Sequence, residues 1–179
     1  MFKKKVNFED KIKDTRKRII VCGDSIINGI DGSGLSSKQC QTSVRSFPGA
    51  TSTDLIDYVK PLVNKRPDSL IIHIGTNDLT NTGNNTIENI KKLIHEARSI
   101  NPNMEFALSE ICTRDDKRSI QSKVQHLNSE IQKLCKDENF SLIKHDNIDR
   151  SCLSKKKLHL NRKGLSNLAK NLKDHIFSQ

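Results

Sequence analysis

Tryptophan is absent from this 179-residue chain, tyrosine occurs once and phenylalanine six times. So few rings are available to stack on bases that a dedicated single-strand nucleic-acid binder is disfavoured. No apolar run approaches the roughly 20 residues that cross a bilayer. The N-terminus is basic but lacks the apolar stretch of a secretion signal. The five cysteines (Cys22, Cys40, Cys112, Cys135, Cys152) are odd in number, widely spread and never in a CxxC pair. That argues against a disulfide framework or a zinc site, and an intracellular, cytoplasmic protein is expected. There is no GxGxxG after the first strand, no GxxxxGK[ST], and no HExxH among the histidines. Dinucleotide, P-loop and zincin chemistry therefore lack support, and no cofactor or metal is expected.

Charge, by contrast, is abundant. Charged residues make up 29% of the chain, hydrophobic ones 34%, and the formal net charge is +10. Eight of the first 18 residues are Lys or Arg, including Lys3, Lys4 and Lys5. A second cluster comprises Arg150, Lys155, Lys156, Lys157, Arg162 and Lys163. Such surfaces attract anions over long range, or they are simply solvated faces. The expected organisation is a basic arm over residues 1–16 followed by one domain over 17–179, a length that supports a single core.

Short apolar runs alternate with amphipathic stretches through that domain. Arg18–Cys22 reads as a buried strand stopped by Gly23, Thr42–Phe47 as a weaker one, and Ser69–Ile74 as the strongest. Glu105–Ser109 and Phe140–Ile143 complete five strands. Helical spacing covers Thr51–Val63, Thr86–Ser99, Ser119–Lys136 and Arg162–Phe177, and Ile26-Ile27-Asn28 looks helical too. Alternation of this kind predicts an α/β fold with a mainly parallel sheet covered on both faces. Chemistry in such folds collects at the carboxyl ends of the strands, and the polar motifs do follow the strands.

Gly23-Asp24-Ser25 follows the first strand. A Ser at a strand-to-helix turn is exposed among unpaired N–H groups, although Asp or Ser there is equally an ordinary N-cap. Phe47-Pro48-Gly49-Ala50 follows the second strand, and the Gly49 N–H is either a second oxyanion donor or part of a plain turn. Gly75-Thr76-Asn77-Asp78 follows the third; Asn77 can aim an amide at developing negative charge, or it is turn chemistry. Leu158-His159-Leu160-Asn161 precedes the last helix, where His159 is a base or a surface residue.

Together and in this order, the GDS, PGA, GTND and HLN blocks resemble the SGNH (GDSL-type) hydrolase family over roughly residues 18–177. The resemblance implies a three-layer α/β/α flavodoxin-like fold with a five-stranded sheet, and hydrolysis of small acyl or acetyl esters. It implies Ser25 as nucleophile and His159 as general base, with the Ser25 and Gly49 N–H groups and the Asn77 amide as oxyanion hole. Asp24 resembles the family's turn-holding Asp, and Asp78 stands beside Asn77 in a supporting place. One position departs. The family places an Asp three residues before the His, and here Lys156 stands there, which disfavours the imidazolium formed during catalysis. A slow enzyme working as a Ser–His dyad follows, or one rescued by a backbone carbonyl or by a carboxylate such as Asp146 or Asp149; the alternative is an inactive binding module. The SFPGAT, HIGTNDL and LHLNRKG stretches are further similar to SGNH domains carried by animal LINE-type retrotransposons. That likeness implies RNA or an anionic membrane surface as partner, through the arm and Lys155–Lys157.

Overall fold

The computed structural model of the protein describes residues 14–80 and 85–178. The expected basic arm over 1–16 lies outside the described residues except for 14–16. Five strands form one sheet: β1 (Lys17–Gly23), β2 (Cys40–Ser46), β3 (Ser69–His73), β4 (Glu105–Ser109) and β5 (Ser141–Ile143). Their order is β2-β1-β3-β4-β5 and every pairing is parallel. The strand order reverses between β1 and β3, so the crevice outside their carboxyl ends is the place where such sheets bind ligands.

Alternation along the strands divides the core. Ile20 and Cys22 of β1, Leu70 and Ile72 of β3, and Phe106 and Leu108 of β4 face one side. There they meet α1 (Ser52–Val63), α2 (Thr86–Ile100) and α3 (Ile120–Glu138). Ile19, Val21, Ile71 and Ala107 face the other, where Leu168, Leu172 and Ile176 of α4 (Arg162–Phe177) cover them. Three layers result because β1, β3 and β4 present apolar residues at both parities. Among the described residues, no helix is long and apolar enough to cross a membrane.

One expected element is absent. Ile26-Ile27-Asn28 does not begin a helix; Ser25–Ile27 is a single 3₁₀ turn and Ser33–Leu35 another. Three turn dipeptides (Asn28-Gly29, Asp31-Gly32, Ser33-Gly34) fall within seven residues, and Gly29 sits at φ +91°. That turn chemistry outweighs the apolar spacing. The isoleucines still bury, since Ile26, Ile27 and Ile30 all join the α4-side core.

Candidate active site

The turn after β1 is gripped from both flanks. Asp24 N–H donates to the His73 carbonyl at 3.2 Å, and Phe47 N–H donates to the Gly23 carbonyl at 2.8 Å. Ser46 Oγ donates to the Asp24 carbonyl at 2.9 Å. The backbone entering Ser25 is thus tied to β3 on one side and β2 on the other. Asp24 is fully buried, and its Oδ1 accepts the Ile26 N–H at 2.9 Å as the cap of the 3₁₀ turn. Burial pushes its carboxyl up to about 6, while the hydrogen bond from the Ile26 N–H opposes the rise. Ser25 itself is half-buried at the head of the turn. The capping reading therefore falls on Asp24, with Ser25 beside it at the head of the turn.

Phe47-Pro48-Gly49-Ala50 folds as a turn in which the Ala50 N–H donates to the Phe47 carbonyl at 3.0 Å. Pro48 second and Gly49 third, with Gly49 at φ +81°, is the type II pattern. Asn77 joins this turn from β3: its Nδ2 donates to the Ala50 carbonyl at 2.8 Å. Gly49 and Asn77 are thereby brought together at the edge that holds Ser25. Asp78 plays a different part. Its buried carboxylate accepts the Ser52 N–H at 3.0 and 3.1 Å and the Ser52 hydroxyl at 2.5 Å, anchoring the start of α1 to the β3 loop.

His159 lies on a hairpin. Leu153 and Leu160 pair as an antiparallel bridge, the Ser154 N–H donates to the His159 carbonyl at 2.7 Å, and a turn spans Ser154–Lys157. Asn161 locks this hairpin to α4: its Oδ1 caps Gly164 N–H at 3.0 Å, and its Nδ2 donates to Ser151 O at 2.8 Å and Leu153 O at 3.0 Å. Leu160 and Leu165 pack on the cluster that contains Ile26 and Ile27, so the hairpin and the Ser25 turn share one apolar support. Among the described residues no hydrogen bond joins Ser25 to His159, whose ring is exposed. Lys156 is exposed at the hairpin tip. Of the two acids expected near it, Asp149 is spent capping Ser151, from N–H at 2.8 Å and hydroxyl at 2.6 Å, and Asp146 stands exposed.

Sequence reasoning missed the residues that link the two halves. Arg114 follows β4 and is only 4% exposed. Its guanidinium grips Asp116 at 2.9 and 2.8 Å and donates to the Thr76 carbonyl at 2.5 Å, directly behind Asn77. Asp115 turns the other way, its N–H donating to Lys157 O at 3.0 Å and its carboxylate pairing with Lys157 at 2.9 Å and Arg150 at 3.3 Å. Arg114-Asp115-Asp116 therefore bridges the Asn77 loop and the His159 hairpin. The rule that exposed the other motifs, polar residues following a strand, applied equally to Thr113–Asp116 after β4.

Beneath the site runs a second unforeseen network. His73 Nδ1 lies 2.8 Å from Ser109 Oγ, which lies 2.7 Å from His145 Nε2; Asn171 Nδ2 faces His145 Nδ1 at 3.0 Å. If the Asn171 amide is oriented as donor, His145 donates to Ser109 and Ser109 to His73. Burial lowers His73 to about 4 and His145 to about 3. Among the described residues no group of three metal-ligating side chains converges. A cleft of about 710 Å³ is lined by Asp78, Leu79, Ile87, Lys123, His126 and Leu127.

A sequence model of the GDSL-like lipase/acylhydrolase family matches residues 21–165. No curated protein matches the sequence. Among solved structures, the chain is similar to a GDSL-like lipase from Bacteroides thetaiotaomicron at TM-score 0.74 and 19% identity, covering 90% of this chain and 88% of that one. A lipase/acylhydrolase from Enterococcus faecalis gives TM-score 0.74 and 22% identity, over 90% and 96%. A catalytic mutant of an acetylxylan esterase from Geobacillus stearothermophilus gives TM-score 0.73 and 14% identity, over 89% and 94%.

Proposed function

Since the chain belongs to the GDSL-like lipase/acylhydrolase family, we propose that it hydrolyses small acyl or acetyl esters with Ser25 as nucleophile and His159 as general base. The supporting observation is the Asn77–Ala50 bond, which gathers the Asn77 amide and the Gly49 turn beside the doubly anchored Ser25 backbone. Ser25 Oγ attacks the ester carbonyl as His159 takes its proton. The oxyanion is held by the Ser25 and Gly49 N–H groups and the Asn77 amide. As the tetrahedral intermediate collapses, His159 returns the proton to the departing alcohol, and water then hydrolyses the acyl-enzyme by the same steps. A short acyl group agrees with the acetylxylan esterase among the similar structures.

Lys156 sets the rate low. A cation in the triad acid's position neither orients the imidazole nor stabilises its charged form, and losing that role costs about 10⁴-fold in a serine protease. Hydrolysis of p-nitrophenyl acetate and labelling by a fluorophosphonate test the reading together. Ser25→Ala is expected to abolish both, and Lys156→Asp to raise turnover about tenfold. A wild type that neither turns over nor labels rejects catalysis. The second reading, favoured by the exposed Lys156, is an accessory module of a retroelement protein that binds RNA or anionic lipid. It requires salt-sensitive binding that persists in Ser25→Ala.

A further inference from the structure

The carboxylates at the site's edge and the cations there are satisfied unequally. Asp24 and Asp78 are buried as caps, Asp116 is held by Arg114, Asp115 by Lys157 and Arg150, and Asp149 by Ser151. Every one of these acids is spent inside the fold. Lys155, Lys156 and Arg162 are exposed, and among the described residues none of them has an ion pair or side-chain hydrogen bond. Lys155 and Lys156 form the tip of the Ser154–Lys157 turn, and Arg162 opens α4 three residues after His159. Two uncompensated cations therefore stand on the hairpin that carries His159 and a third at the head of the helix that follows it, in a chain of net charge +10.

The chemistry says which part of a substrate meets them. The group that takes the proton from the nucleophile also returns it to the leaving alkoxide, so the alcohol half of an ester lies against His159. The acyl half extends the other way, on the side of the Asn77 amide. Resting on the hydrolytic reading above, we propose that the preferred substrates are esters whose alcohol half bears a negative charge, a carboxylate or phosphate, recognised by Lys155, Lys156 and Arg162. The same cations repel the imidazolium. An anion seated among them offsets that repulsion, so the charged alcohol restores part of what the absent triad acid supplies.

The test holds the acyl group constant and varies the alcohol. Hydrolysis of 4-acetoxyphenyl phosphate, 4-acetoxybenzoate and its neutral methyl ester is compared, each kcat/KM normalised to its hydroxide-catalysed rate. The anionic esters are expected to lead by about tenfold at low salt. The lead should shrink toward unity at ~1 M NaCl, where the screening length is about 3 Å, and in a Lys155→Glu/Arg162→Glu double variant. Preference for the phosphate alone identifies a phosphate-bearing alcohol; equal preference for both anions identifies a general anion site. Equal turnover of charged and neutral esters overturns the proposal, as does a lead that survives the charge reversals. So does a preference that appears instead between mono-4-nitrophenyl succinate and 4-nitrophenyl butyrate, which moves the charge to the acyl half. In those cases the neutral ester is still cleaved and the hydrolytic reading stands; if no ester is cleaved, both fall.

Discussion

Around Ser25 and Asn77, hydrogen bonds run between strands: Asp24 to His73, Phe47 to Gly23, Ser46 to Asp24, Asn77 to Ala50. Around His159 they run mainly within one hairpin and into the cap of the helix that follows, with Asp115 as the tie from outside. The first region borrows the rigidity of a parallel sheet, whereas the second is braced locally and leaves its tip in solvent. A donor set meant to meet developing charge gains from being fixed beforehand. A base and the cations beside it can tolerate adjustment as substrate arrives. The contrast implies that substitutions on the sheet side strike rate and stability, and substitutions on the hairpin side strike selectivity.

Asn77→Ala tests the sheet side most severely. Turnover is expected to fall about 10²–10³-fold with KM little changed, as for loss of one oxyanion donor; steady-state kinetics on p-nitrophenyl acetate decides. An unchanged kcat would mean that the preorganised region is scaffolding alone. Arg114→Leu comes next, with a loss of about 3 kcal/mol in urea unfolding, because Asp116 and the Thr76 carbonyl lose a buried partner. Replacing Asp116 by Leu as well should recover part of that loss.

Asp24→Asn is expected to stabilise the protein by about 2 kcal/mol near pH 7, an advantage that vanishes below about pH 4. With its carboxyl raised to about 6, the stability Asp24 contributes is complete below the unfolded value and is lost as pH rises through 6. The buried histidines run in the opposite sense. Their folded values of about 4 and 3 make the stability they contribute complete above the unfolded value of about 6.5, and it is lost as pH falls. Thermal melts from pH 4 to 8 should therefore show a steeper acid decline in Asp24→Asn than in the wild type. The smallest effect belongs to the hairpin side: Asp115→Asn frees Lys157 and Arg150 from partly exposed pairs at a cost below about 1 kcal/mol. A larger loss would mean that the hairpin is braced from outside as firmly as the sheet side.

Most of the architecture was legible because its signals are local. Leu70–Ile72 is a continuous apolar run within β3, and Glu105–Ser109 and Arg162–Phe177 coincide with their expected bounds. At Ile26–Asn28 the spacing of apolar residues misled, because turn chemistry competed with it over the same stretch. The motifs at three strand ends could be read singly, and the fold bonds Asn77 to the turn that contains Gly49. The Arg114–Asp116 bridge and the His73–Ser109–His145 network were not legible. Their partners lie 36 to 42 residues apart, and no periodicity in the chain records which loops a topology will bring face to face.

All five cysteines are free and buried, and they are distributed unevenly over this contrast. Cys22 lies within β1, where burial pushes its thiol up to about 12; Cys152 lies in the turn that leads to the His159 hairpin. A thiol so placed cannot meet an alkylating reagent until its surroundings open. The chain thus carries its own set of clocks: the time at which each cysteine takes up label, resolved by peptide mass, dates the opening of the segment around it. If the hairpin is the looser partner, Cys152 is marked under conditions in which Cys22 still reads zero.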